Sequence, residues 1–346
     1  MTQLRIAVIG MGWAGTRQVE AVRELGRKVV VDCIVDNDAD FLKMKAEEFG
    51  ISKTYTDFRD ALSDPDVHAV SICAPHKLHC PMTLEAAAAK KHITCQKPMA
   101  LNVEDATRMI EAAEANGVKL YVTEDQPYGS TSMFLREIVQ SGEYTGELTF
   151  ASVVNGFRGT NFGYPGRRAW LALPEQGGTG TWTLHGIHSV AQLRYILGEV
   201  ETVYMQEHHA SSYVRKDLEG TMSGLLTMEN GIHVSIVQSS ESKLYHNLGG
   251  YVIHGDRGSI RASRSGCEVF TGDSSTDSPS QFLPYPEQGL SPHARIAEAF
   301  ADYIAGVSVG PTTGRSERRS LAIIQAGYES AQSGKPINLR ERFGEI

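Results

Sequence analysis

Cysteine is sparse and not patterned in pairs. The 346 residues hold five, Cys33, Cys73, Cys80, Cys95 and Cys267, an odd number with no C-x-x-C among them. Three lie in apolar, strand-like runs where a thiol acts as a small buried hydrophobe, so no disulfide framework is expected. Basic charge is also short. Lys and Arg total 33 against 41 Asp and Glu, a net −8, with no basic cluster beyond Arg315, Arg318 and Arg319. A phosphate backbone requires a basic surface, so nucleic acid is not an expected partner. No apolar run approaches the ~20 residues that span a bilayer, so no membrane partner is expected either. The first 12 residues carry no basic stretch ahead of an apolar one. They read as a strand rather than a signal peptide, which makes the cytoplasm the expected location. There is no Walker A, no G-x-S-x-G elbow and no H-E-x-x-H. What remains is ordinary: 41% hydrophobic and 21% charged residues describe a globular chain. At about 150 residues per domain, its length predicts two domains.

The first part alternates strand and helix. Residues 4–9 (LRIAVI), 29–35 (VVVDCIV), 69–73 (AVSIC), 92–95 and 120–123 are the short apolar runs of strands buried on both faces. Helices are expected at 13–25, with Val19, Val22 and Leu25 along one side, and at 38–49 behind Asp38 and ahead of Gly50. Two more are expected at 81–90 and at 102–116 behind Asn102. Strands separated by such helices predict right-handed parallel crossovers, hence an α/β domain with a doubly wound parallel sheet over 1–124.

Residues 125–346 read differently. Strands are suggested at 147–155, 202–208, 220–228, 231–239 and 251–253 without intervening helices. Glu229-Asn230-Gly231 is a hairpin signal, since Asn-Gly accepts the positive φ of a type I′ turn. Helices are expected at 133–140, 182–197, 294–305 and 316–333. Segregated strands and helices predict a C-terminal α+β domain with a mostly antiparallel sheet. The Ser-, Pro-, Asp- and Gly-rich stretch 266–292 is expected to be a long surface loop.

Gly10-Met11-Gly12-Trp13-Ala14-Gly15 fits G-x-G-x-x-G between the first strand and first helix. Gly10 allows the tight turn, Gly12 lets the backbone approach a pyrophosphate, and Gly15 lets the helix pack on the sheet. The free N–H groups and partial positive charge of the helix N-terminus then face the phosphates. Asp36 ends the second strand about 20 residues on, where a carboxylate accepts adenosine ribose hydroxyls and repels a 2′-phosphate. Asn37 and Asp38 follow it rather than Arg, so NAD is favoured over NADP.

Three further segments resemble the Gfo/Idh/MocA family of oxidoreductases. Ala74-Pro75-His76-Lys77-Leu78-His79 looks like its T-P-N-x-x-H segment, and Gln96-Lys97-Pro98 resembles its E-K-P motif. Gly178-Thr179-Gly180-Thr181-Trp182-Thr183-Leu184-His185-Gly186-Ile187-His188 resembles G-G-G-x-L-x-D-x-G-x-H. Gly327-Tyr328-Glu329-Ser330-Ala331 through Gly334-Lys335-Pro336 looks like the family's closing helix. The resemblance implies a Rossmann domain followed by a domain whose open sheet mediates homo-oligomers, dimers or tetramers. It also implies NAD(P)-dependent oxidation or reduction of a carbinol carbon on a small-molecule sugar, inositol or related ring. Lys97 would be the catalytic lysine and His188 the histidine facing the substrate hydroxyl, in a cleft between domains. Ala74, Pro75, His76, His79, Gln96 and Lys97 would line the dinucleotide.

Several positions depart from the family pattern. Gln96 replaces Glu beside Lys97, and Leu184 replaces an Asp four residues before His188, on the same face of an α-helix. Either Lys97 and His188 suffice, or His185 partly replaces the carboxylate as a substrate contact; a His facing packing or solvent is the alternative. Glu124-Asp125-Gln126-Pro127-Tyr128 lacks the family's Arg, leaving Glu124, Gln126 and Tyr128 as substrate contacts and arguing against a phosphorylated substrate. Trp170 and Trp182 offer aromatic faces for a sugar ring or serve as core filler. The H-x-x-H pairs His76/His79 and His185/His188 belong to the family pattern, and His208-His209 falls short of the three or four ligands zinc needs, so no metal is expected. Other readings stay open: glycoside cleavage by transient oxidation with tightly held NAD, dihydrodiol dehydrogenation, or a catalytically silent NAD-binding sensor.

Overall fold

The computed structural model describes residues 3–26, 28–156, 166–173, 176–177, 180–209, 218–242, 249–272, 280–287 and 289–345. The chain divides into two compact units. Unit one is Met1–Asp125 with Pro165–Gly178 and Gly289–Leu321, and unit two is Gln126–Tyr164 with Thr179–Gln288 and Ala322–Ile346. A single cut at 124/125 thus omits two later segments that fold with the first unit.

The first unit runs β1 (Leu4–Ile9), α1 (Trp13–Glu24), β2 (Val29–Val35), α2 (Ala39–Phe49), β3 (Thr54–Tyr55) and α3 (Phe58–Ser63). It continues with β4 (Ala69–Ile72), α4 (His79–Ala88), β5 (His92–Gln96), α5 (Val103–Ala115) and β6 (Leu120–Thr123). The six strands are all parallel, in the order β3-β2-β1-β4-β5-β6. Their inner residues are buried on both faces: Ala7, Val8, Ile34, Val70, Ile72 and Ile93 have no exposed surface. Strand order reverses between β1 and β4, so the crevice at their carboxyl ends is the switch point where doubly wound sheets bind ligands.

Local chemistry starts and stops the helices. The Asp38 carboxylate accepts the Phe41 N–H at 3.0 Å to open α2, and Gly50 closes it in the left-handed region at φ 59°. Asn102 caps α5 through the Asp105 N–H at 2.8 Å. Helix α4 begins at His79, earlier than expected, because Pro81 fits a helix's first turn, where its missing N–H costs nothing. Strand β3 and helix α3 went unforeseen: a two-residue edge strand and a six-residue helix are too short to show periodicity. Later in the chain, α8 (Pro292–Ala305) packs with α1, capped by Ser291, whose hydroxyl accepts the Ala294 N–H at 3.2 Å.

The second unit contains α6 (Ser130–Ser141), β7 (Leu148–Gly156), α7 (Ile187–Leu197), β8 (Val200–His208), β9 (Thr221–Met228) and β10 (His233–Ser239). It adds β11 (Gly250–Gly255), β12 (Gly258–Ala262), β13 (Gly266–Thr271), β14 (Gln281–Pro284), the later half of α9 (Gly314–Ser333), β15 (Ile337–Asn338) and α10 (Leu339–Phe343). Among the described residues its nine strands form one sheet, β14-β13-β12-β11-β7-β10-β9-β8-β15, antiparallel except for the β7–β10 pair. The expected hairpin joins β9 to β10, with Gly231 at φ 86°. The expected loop over 266–292 is corrected: β13 and β14 form there, with Cys267 and Val269 buried. One buried face among polar and glycine neighbours reads as a loop until the partner strand is known. On the inner face, Val153, Leu226, Val234 and Ile253 pack with Val190, Leu193 and Trp182.

Candidate active site

The turn after β1 meets the requirements of a pyrophosphate site. Gly10 sits at φ 89°, and a Cβ there would lie 2.8 Å from the Cys73 carbonyl oxygen. A Cβ on Gly15 would collide with the Gly10 carbonyl, whereas one on Gly12 would meet nothing within 4 Å. Two glycines therefore serve the fold and the third keeps space clear for a ligand. Helix α1 has no side-chain cap, so its first N–H groups face outward unsatisfied by side chains. Met11 is fully buried, and its N–H donates to Asp36 Oδ2 at 2.9 Å. Trp13 is exposed, with the Arg17 and Arg168 guanidinium groups over its ring.

A cavity of about 510 Å3 opens at this turn, lined by Gly12, Asp36, Asn37, Ala74, Pro75 and Trp170 among others. The residues present fit a dinucleotide: a clear glycine, an uncapped helix N-terminus and a buried carboxylate at one cavity. Sequence reading missed a further member. Arg167 lines the cavity, donates to Asp36 Oδ1 at 2.6 Å and to Asp38 Oδ2 at 2.8 Å, and lies 4.0 Å above the Phe41 ring. No arginine follows Asp36 in the chain, and the fold delivers this one from 131 residues away.

His79 has no exposed surface, and its two ring nitrogens lie 2.9 Å from the Pro98 and Ala74 carbonyl oxygens. Its expected role as a cofactor contact is corrected to that of a clamp, because no face of the ring is open to a ligand. His76 is buried too, its Nδ1 at 2.8 Å from the Gly177 carbonyl and its ring edge-on to Trp170. Burial, and then the neighbouring His79, pushes His76 well below the usual histidine range. Trp170 lines the same cavity as the glycine turn.

Gln96 ends β5 and Lys97 follows it, both half-buried. Burial lowers the Lys97 ammonium below the ordinary lysine range, the Glu124 and Asp125 carboxylates oppose that, and Arg168 reinforces it. Glu124 is fully buried just past β6. The first unit thus holds an amine of reduced basicity at the carboxyl edge of its sheet.

In the second unit, Gln126–Tyr128 forms a short 3-10 turn with Gln126 half-buried and Tyr128 buried. The helix bearing the two histidines opens with a π turn, Trp182–Gly186, before α7. That turn corrects one inference. The shared face of Leu184 and His188 presumes α geometry throughout, and a π turn shifts the register. Leu184 is buried, while His185 and His188 are each half-exposed. Trp182 is also corrected. It has no exposed surface and its indole N–H donates to the Ile324 carbonyl at 3.1 Å, so it fills the core and offers no face to a sugar.

The profile described as an oxidoreductase family with an NAD-binding Rossmann fold matches residues 4–124. That of the GFO/IDH/MocA C-terminal domain matches residues 133–261. The chain belongs to the Gfo/Idh/MocA oxidoreductases. Among related Gfo/Idh/MocA proteins, D-apiose dehydrogenase of Rhizobium rhizogenes is 25% identical over 98% of this chain and 98% of its own. Myo-inositol 2-dehydrogenase of Thermotoga maritima is 33% identical over 40% of this chain and 41% of its own. Levoglucosan dehydrogenase, solved in complex with NADH and levoglucosan, shares the fold with a TM-score of 0.85 and 20% identity, over 98% of this chain and 100% of its own. As a Gfo/Idh/MocA member the protein is an NAD-binding oxidoreductase. Among the described residues no helix is long and apolar enough to cross a membrane.

Proposed function

We propose that this protein transfers a hydride between NAD and a secondary hydroxyl, or the corresponding carbonyl, of a sugar, cyclic polyol or glycoside. The observation that carries the reading is Lys97, half-buried at the end of β5, its basicity lowered by burial and opposed by Glu124 and Asp125. Relatives named for apiose and inositol support the substrate class. Gly12 and Ala14 would carry the pyrophosphate on the α1 N-terminus, with Gly10 and Gly15 shaping the turn, and Asp36 with Asn37 would hold the adenosine ribose. Ala74, Pro75, His76, Gln96 and Lys97 would border the rest of the dinucleotide.

Bound NAD supplies the hydride acceptor or donor. His188 binds the reacting hydroxyl or takes its proton as the carbonyl forms, and Lys97 relays that proton or stabilises the charge on oxygen. A positioned side chain of this kind contributes roughly 10²–10⁴-fold. Gln126, Tyr128 and His185 bind the other hydroxyls, His185 supplying a polar contact that Leu184 cannot, while Glu124, with no exposed surface, acts on Lys97 instead.

The test is a panel of D-apiose, myo-inositol, levoglucosan, alkyl glucosides and ring diols with NAD or NADP, read by absorbance of the reduced nicotinamide. Turnover with NAD is expected, lost in Lys97→Ala with NADH binding kept, and weakened in His185→Ala. Retained activity in Lys97→Ala would overturn the assignment, as would product formed with no net change in absorbance. We further infer a homo-oligomer, dimer or tetramer. Exposed Phe150, Leu225 and Phe282 on the sheet of the second unit support it.

A further inference from the structure

The helix that carries His185 and His188 is held at its start by groups from two other elements. Residues 182–186 have no capping side chain of their own. A helix nevertheless opens with N–H groups lacking partners inside it, and burying them unpaired is costly. Here Glu219, two residues ahead of the first residue of β9 and only 4% exposed, supplies an acceptor: its Oε1 takes the Trp182 N–H at 2.7 Å. The same oxygen accepts the Tyr328 hydroxyl, from α9, at 2.9 Å. The Tyr328 oxygen in turn accepts the Thr183 N–H at 3.3 Å and the Thr183 hydroxyl at 3.1 Å. The Glu219 carbonyl accepts the Thr181 N–H at 3.2 Å, and the Thr181 and Ser240 hydroxyls meet at 2.6 Å.

Glycines allow this close approach. A side chain on Gly180 would overlap the Glu219 carboxylate, and one on Gly327 would run into the Trp182 indole. The carboxylate also sits at the positive end of the helix dipole, where a negative charge is favoured. The Glu219 carboxyl and the Tyr328 hydroxyl fix two successive N–H groups, those of Trp182 and Thr183, and so give the helix one rotation about its axis. That rotation directs the His185 and His188 rings, three residues apart.

We propose that Glu219 and Tyr328 are positioning residues, setting through Trp182 and Thr183 the orientation of the helix that presents His185 and His188 to substrate. The proposal deepens the functional reading above and rests on its assignment of His188. Burial pushes the Glu219 carboxyl up to about 7, against the hydrogen bonds from Trp182 and Tyr328. Oε1 accepts these bonds in either protonation state, so its position rather than its charge is what the network uses.

The test uses the full chain and three variants: Tyr328→Phe, Glu219→Ala and Glu219→Gln. The amide acceptor of Gln keeps the bond from Trp182, whereas the other two changes remove a link. Hydrogen–deuterium exchange over 180–190 and the imidazole NMR signals of His185 and His188 need no substrate. In Tyr328→Phe and Glu219→Ala, exchange at Trp182 and Thr183 is expected to rise about tenfold. The imidazole signals should shift, and both effects should revert in Glu219→Gln. With the best substrate of the panel, kcat should fall about 100-fold in the same two variants, with NADH binding unchanged and activity rescued by Gln. Unchanged exchange and imidazole signals in Tyr328→Phe would overturn the proposal, whether or not Glu219→Ala folds. Loss of kcat in Glu219→Gln with the helix still protected would also overturn it, because charge would then matter rather than position. If no panel member turns over, the functional reading fails by itself, and the exchange and NMR results still decide this one.

Discussion

Gly10 and Gly12 stand two positions apart and do opposite work, which makes them a clean pair at the scale of single residues. Gly10 is bound to the fold by its φ of 89° and by the Cys73 carbonyl, while Gly12 faces open space. Gly10→Ala is therefore expected to cost about 2 kcal/mol or more of stability, read as a lowered Tm. Gly12→Ala should leave Tm unchanged and weaken NADH binding in a fluorescence titration; unaltered affinity would remove Gly12 from the phosphate site. Arg167 offers a second test. Its guanidinium is shared between Asp36 and Asp38 at the cavity, where it tempers the repulsion a 2′-phosphate would meet. Arg167→Ala should raise the Kd for NADP relative to NAD by about tenfold. An unchanged ratio would separate Arg167 from ribose recognition. Asp36 was legible in the sequence because it directly follows β2, the strand next to the turn it serves. Arg167 was not, because its pairing exists only once residues far apart in the chain are folded together.

At the scale of elements, the π turn of 182–186 and its carboxylate partner carry the least legible part of the site. Motif spacing pointed to His188, but an α-helical wheel placed Leu184 on its face and left Glu219 without a role. Glu219 also sets a pH dependence whose sign is fixed. Its carboxyl is raised from 4.5 to about 7 by burial, so between those values the folded protein holds a proton that the unfolded chain has released. Stability from this group is present below about pH 4.5 and is lost as pH rises through 7. Glu219→Gln cannot titrate, so its loss of stability between pH 5 and pH 8 should be smaller by about 1–3 kcal/mol in denaturant unfolding. Equal losses in both proteins would show that Glu219 does not hold the proton. By contrast, α2 and α5 could be read directly, since their caps Asp38 and Asn102 act within three residues of themselves.

For the whole molecule, the broad sheet of the second unit bears aromatic and aliphatic residues on exposed positions, with Phe150 stacked on His254 at 4.2 Å. If that face joins copies of the chain, Phe150→Glu should lower the mass measured by light scattering, whereas a monomeric wild type would reject the idea. The sequence by itself determined the doubly wound sheet and the glycine turn with Asp36 behind it. Each depends on periodicity or on spacing within one strand–helix unit, and such short-range constraints are written in consecutive residues. Tertiary structure alone decided which side chains share an environment: Arg167 on Asp36, His79 between two carbonyls, and Glu219 beneath the histidine helix. It also decided that Trp182 belongs to the core. Burial and hydrogen-bond pairing across distant segments are properties of packing, and no local pattern encodes them.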